Sequence, residues 1–247
     1  MSATRLDELL EHWATGYDWA VHERRIGAFP WTTVRAGTAD LRVIHQRSAD
    51  PGAPVVVLLH GWPDSVLRFE RVLPLLADTH VVVPALPGFP FAAPLTTPGM
   101  SANRIAGIVA DALDELGYSR YTVSGGDVGG TVAEILAAEH PDRVAALHLT
   151  NIAPQHALTA DPAELTPDAA AYLGRTAAGG HFAAWEQPEA YAGDVHRAVK
   201  LDGRTSRTGR TWSPRPPRAF SPLCRRATAM MLAYNGETMC VDCVHSM

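Results

Sequence analysis

Cysteine is scarce in this chain of 247 residues, with three in all, Cys224, Cys240 and Cys243, gathered near its end. Cys240-x-x-Cys243 with His245 falls short of the four ordered ligands of a structural zinc site, so no metal is expected. No stretch approaches the run of about 18 apolar residues that spans a bilayer. Met1-Ser2-Ala3-Thr4-Arg5 lacks the apolar region of a secretion signal. These absences lead us to expect a cytoplasmic protein with no membrane partner. Positive charge is in deficit too. Twenty-one Lys and Arg face 26 Asp and Glu, a net −5, which gives no general attraction for nucleic acid. No internal repeat is visible.

What is present is enough apolar content, 47%, for the core of one domain. Leu6, Leu9, Leu10 and Trp13 share one face of a helix over 5–14, which we expect to pack on the core. Strands are expected at 32–34 and 41–46, joined through Gly37, and again at 54–59, 80–83, 121–123 and 144–149. A helix is expected over 66–76. Another starts at the cap Ser101, carries the stripe Ile105, Ile108, Val109, Ala112, Leu113, Leu116, and stops at Gly117. A third covers 129–139 and ends before Pro141. Strands alternating with helices imply a mostly parallel sheet covered on both faces.

The composition breaks after Gly203. Residues 204–247 hold seven Arg and no Lys, against Glu237 and Asp242 alone, so this segment carries +5 and the rest −10. Repeated Arg-Thr, Ser-Pro and Pro-Pro steps bury little apolar surface, and disorder is expected there. Three regions follow: a meander over 1–52, a core over 53–202 and this tail over 203–247.

The chemistry concentrates in Gly125-Gly126-Asp127-Val128-Gly129-Gly130. A glycine-rich strand-to-helix turn can be purely structural, or it can cradle a phosphate. The phosphate reading is the weaker one. The G-x-G-x-x-G spacing is missing, a carboxylate in mid-loop repels phosphate, and the turn comes too late in the chain. A small-x-nucleophile-x-small turn matches instead the nucleophile elbow of the α/β-hydrolase fold, with Asp127 in the nucleophile position. The helix N-terminus behind it favours an anion. Upstream, the apolar run Val55–Leu59 ends in His60-Gly61-Trp62-Pro63. In the same fold such a turn supplies one oxyanion-hole N–H, here that of Trp62. The residue after the nucleophile, Val128, supplies the other.

With these motifs the chain resembles the epoxide hydrolases, in the branch that carries an N-terminal meander. Gly16-Tyr17-Asp18-Trp19, Ala28-Phe29-Pro30, His60-Gly61-Trp62-Pro63, Leu86-Pro87-Gly88-Phe89, Gly125-Gly126-Asp127 and Gly179-Gly180-His181-Phe182-Ala183-Ala184 carry the resemblance. It implies an α/β-hydrolase core and a small apolar epoxide as substrate. Asp127 would form a hydroxyalkyl ester, which water activated by His181 would hydrolyse without a cofactor. The family's lid, two lid tyrosines and His-orienting acid find no matching positions among residues 153–180. Tyr172, Asp161, Glu164, Asp168 and Glu186 have no assigned role. The missing lid and unrelated tail are what a deletion followed by out-of-frame reading would leave. Impaired activity is therefore expected, and a catalytically dead remnant or binding module is the alternative. A haloalkane dehalogenase is the second, disfavoured because Val128 stands where those enzymes place a halide-binding Trp.

Overall fold

The computed structural model describes residues 3–95, 98–150, 182–201, 230–234 and 237–240. It divides the chain into two compact units, Met1–Trp31 and Thr32–Met247. The first holds two helices, α1 (Ala3–Thr15) and α2 (Trp19–Gly27). Asp18 caps α2, its Oδ1 accepting from the Ala20 N–H at 2.9 Å, and the Trp31 indole N–H donates to the Ile26 carbonyl. The helix expected over 5–14 is present as α1, but it has no buried residue. Leu6, Leu9, Leu10 and Trp13 are all exposed.

The second unit is built on one sheet, whose strands are β1 (Trp31–Ala36), β2 (Ala39–Gln46), β3 (Val55–Leu59), β4 (His80–Pro84), β5 (Tyr121–Gly126), β6 (Val144–Thr150), β7 (Met230–Tyr234) and β8 (Glu237–Cys240). Their order is β1-β2-β4-β3-β5-β6-β7-β8. From β4 to β7 neighbours run parallel, whereas the β2–β4 and β7–β8 pairs are antiparallel. The fold class is that expected from the sequence. Every residue of β3, β4, β5 and β6 is buried, as central strands covered on both faces must be.

Helices α3 (Ala102–Glu115) and α4 (Val128–Glu139) share one core with Val57, Leu59, Val82, Val123, Leu147 and Leu149 of the sheet. A short α5 (Ala183–Glu186) leads into α6 (Pro188–Leu201), which packs on β6 and β5. The stretch 66–76, read from sequence as one helix, is two 3₁₀ turns, Val66–Phe69 and Leu73–Leu76. Pro74 stands at the start of the second turn, where the ring removes a donor that a continuous helix would need. Within the segment expected to be disordered, Met230–Tyr234 and Glu237–Cys240 are strands. The Arg- and Pro-rich part of that segment lies upstream of Met230. Cys224, Cys243 and His245 lie outside the described residues.

The topology decides where chemistry can sit. From β3 the chain crosses to β4 on one side, then returns to β5 on the other. Open α/β sheets bind their ligands in the crevice at such a reversal, beyond the carboxyl ends of the strands. Leu59 lies opposite Gly125 in the register, so β3 and β5 end level with one another.

Candidate active site

Asp127 occupies the turn between β5 and α4, with φ 58° and ψ −127°. A non-glycine residue at positive φ is strained and persists only where its surroundings enforce it. Close backbone approach does so here. A Cβ on Gly129 would meet the carbonyl oxygens of both Leu59 and His60, so only glycine lets α4 start so near the end of β3. A Cβ on Gly61 would lie 2.6 Å from both Cβ and Oδ1 of Asp127. The turn after β3 and the elbow are thus in contact at the atoms that matter.

That contact brings two donors to one acceptor. The Trp62 N–H donates to Asp127 Oδ1 at 2.8 Å, and the Val128 N–H donates to the same atom at 2.7 Å. Asp127, Trp62 and Val128, singled out from the sequence, are therefore together. Oδ2 takes no hydrogen bond from any described residue, while Oδ1 is held by both amides. The Trp62 side chain is 65% exposed, at the mouth of the site. Its ring lies edge-on to Phe89 at 6.3 Å.

His60 does structural work that the motif alone did not reveal. It is fully buried, its Nε2 accepts from the Leu86 N–H at 3.1 Å and its Nδ1 faces the Gly61 carbonyl at 3.4 Å. The ring is therefore neutral, with the proton on Nδ1. Burial, and then Arg68, push its pKa down, against the bond to Gly61, to about 4. His60 ties the turn after β3 to the loop after β4, which also carries Phe89.

Sequence reasoning missed a second polar group. Ser124 on β5, His148 on β6 and Tyr191 on α6 are buried and joined by hydrogen bonds. The available signal was a hydroxyl and an imidazole inside two otherwise apolar strands. Their pairing, and the partner on α6, could not be read from spacing. His181, the expected base, lies outside the described residues, as do Tyr172, Asp161, Glu164 and Asp168. Glu186 is in α5. Among the described residues no cluster of His, Cys, Asp and Glu could hold a metal ion, and no helix is long and apolar enough to cross a membrane.

Comparison with known proteins agrees with this fold. Residues 54–179, half of the chain, match the family model described as alpha/beta hydrolase fold. The chain belongs to the α/β-hydrolase superfamily. Residues 1–69 match the model described as epoxide hydrolase N terminus. A protein of Stigmatella aurantiaca (strain DW4/3-1) that bears the provisional name epoxide hydrolase is 35% identical over 156 residues, covering 59% of this chain and 36% of its own length. Juvenile hormone epoxide hydrolase 2 of Ctenocephalides felis is 27% identical, over 58% of this chain and 33% of its own. Among solved structures, the epoxide hydrolase of Aspergillus niger superposes with a TM-score of 0.59 at 28% identity, over 67% of this chain and 44% of that one. The chain spans about a third of the length of the curated relatives it matches.

Proposed function

We propose that this chain acts as an epoxide hydrolase, converting a small apolar epoxide and water to a diol without a cofactor. One observation carries the reading: an elbow aspartate whose Oδ1 receives both backbone donors. Oδ2 of Asp127 attacks an epoxide carbon, the C–O bond breaks, and the released alkoxide takes a proton from solvent water, to which the protonated His181 of the second step later returns one. The product is a hydroxyalkyl ester on Asp127. Water, deprotonated by His181, then attacks Cγ of the ester. The negative charge that develops on Oδ1 falls on the Trp62 and Val128 amides, which are already aimed at that atom. Collapse releases the diol and restores the carboxylate.

The same reading extends to aryl epoxides, to a place in the breakdown of aromatic hydrocarbons or in detoxification, and to the cytoplasm. Trp62 and Phe89 at the mouth of the site support an apolar, ring-bearing substrate. The sequence offers no counterpart for the lid tyrosines or for the acid that orients the base, so ester formation is the stronger half of the activity. Intact-protein mass spectrometry after mixing with a simple aryl epoxide tests the proposal. It expects a gain of one epoxide mass, mapped to the peptide containing Asp127. No adduct at Asp127 overturns it.

A further inference from the structure

The turn that presents the Trp62 N–H stands at the surface. Trp62 and Pro63 are exposed, while Gly61 before them is buried. The turn closes on itself where the Asp64 N–H donates to the Gly61 carbonyl at 3.1 Å. The position of Asp64 therefore bears directly on that of the Trp62 amide between them.

The Asp64 carboxylate is held through both oxygens. Its Oδ1 accepts from the Ser65 N–H at 2.7 Å. Its Oδ2 lies 3.3 Å from Arg68 Nη1, in an ion pair whose carboxylate and guanidinium side chains are only 10% and 2% exposed. Arg68 belongs to the 3₁₀ turn Val66–Phe69, which Ser65 caps by accepting from the Leu67 N–H at 3.3 Å. Val66, Phe69 and Val72 are buried and fix that turn in the core. The Phe69 ring rests against that of Tyr191, at 6.0 Å. The Trp62 turn is thus tied to the packed interior through a buried carboxylate and a buried guanidinium.

Stability alone is a poor account of such a pair. Apolar side chains of similar volume often serve a core as well or better, because desolvating both charges offsets their attraction. What the pair adds is direction, since charge-assisted contacts are short and geometrically specific. The Arg68 charge also works with burial to keep His60 neutral. In that state His60 Nε2 accepts from the Leu86 N–H and holds the other end of the turn.

We propose that Arg68, acting through Asp64, is a positioning residue for the Trp62 oxyanion donor. The proposal rests on the reaction given above. The two steps of that reaction call on the donor differently. Ester formation withdraws charge from Oδ1 of Asp127, whereas attack on the ester returns it there. A displaced Trp62 N–H therefore slows ester loss more than ester formation.

The test uses the full chain, labelled with nitrogen-15, as wild type, Arg68→Lys, and the double variant Asp64→Asn with Arg68→Met. Asn keeps the acceptor for the Ser65 N–H, and removing both charges together leaves no unpaired ion in the interior. Hydrogen exchange is read at two amides that share one acceptor, Trp62 on the turn and Val128 on the elbow. Val128 reports any general loosening of the fold. In the double variant the Trp62 amide should exchange about tenfold faster or more, with Val128 within about twofold of wild type. Arg68→Lys keeps the charge and should fall between the two. Unchanged exchange at Trp62, equal acceleration at both amides, or a Lys variant no better than the double variant overturns the proposal. Single-turnover mass spectrometry with an aryl epoxide adds a chemical readout. Ester loss should slow about tenfold or more in the double variant, and ester formation by less. Unchanged ester loss, or equal slowing of both steps, also overturns the proposal. If wild type forms no ester, or never loses it, the reaction given above is what fails, and the exchange rates alone decide the positioning claim.

Discussion

The Trp62 backbone N–H meets Oδ1 of Asp127 at 2.8 Å, across 65 positions of sequence. With the Val128 N–H on the same oxygen, the donors are assembled before any substrate arrives. Preorganised donors cost no rearrangement at the moment of reaction.

Asp127→Asn should leave this arrangement standing and remove the chemistry. The amide oxygen can accept both N–H groups, but a neutral amide is a poor nucleophile. We expect a thermal midpoint close to wild type and no adduct with an aryl epoxide. Adduct formation by the Asn variant at the wild-type rate would assign the reaction to another side chain.

Gly61→Ala should separate chemistry from folding. The added Cβ would fall 2.6 Å from Asp127 Cβ and Oδ1, so the elbow side chain has to shift. We expect a loss of about 1–3 kcal/mol in urea unfolding and a fall in the rate of ester formation on the order of 10²-fold. Gly129→Ala meets the backbone carbonyls of Leu59 and His60 instead and should be the more destabilising of the two. A Gly61→Ala variant that alkylates as fast as wild type contradicts the geometry.

Stability should fall in mild acid. Burial is the main cause that pushes the pKa of His60 and of His148 down to about 4, and unfolding returns each to about 6.5. Between those values the unfolded chain binds protons that the folded chain does not. The contribution is therefore fully present above pH 6.5 and is lost as pH falls toward 4. At pH 5 the loss is about 2 kcal/mol for each ring. Urea midpoints measured at pH 7.5 and pH 5 report it directly, and equal midpoints would show that the two rings are not buried neutral.

His181→Gln should raise the yield of ester, not lower it. Ester formation does not call on the base, whereas hydrolysis does. Wild type itself should release diol well below about 1 s⁻¹, the lower end of ordinary turnover. Product analysis beside intact mass separates the two steps. A wild-type rate above that limit would mean that other residues supply the missing tyrosine and acid.

Much of the scaffold was legible because local pattern and tertiary environment agree in it. Val55–Leu59 is apolar at every position since β3 is buried on both faces. Helix α3 begins at the cap Ser101, and Gly117, at φ 80°, ends its stripe. The elbow was legible for a related reason: it needs small residues around one residue held at positive φ, and that leaves a mark in sequence. Pro74 could have warned against a single helix over 66–76. The end of β5 was underestimated because Ser124, Gly125 and Gly126 carry no apolar signal, although the ladder with β6 continues to Thr150. The Ser124–His148–Tyr191 chain joins residues 24 and 67 positions apart, and no periodicity encodes such a meeting.

Asp127 is also the N-cap of α4, its side chain accepting from Val128 and its carbonyl from the Thr131 N–H. The carboxylate is therefore a charge at a helix terminus, where an anion is worth about 0.3–1 kcal/mol. In the proposed reaction, esterification would cancel that charge while leaving the carbonyl oxygen beside the same two amides. Each proposed cycle would then alternate α4 between an ion-capped and a neutral-capped state, and the restored carboxylate would recover at the helix terminus part of what hydrolysis releases.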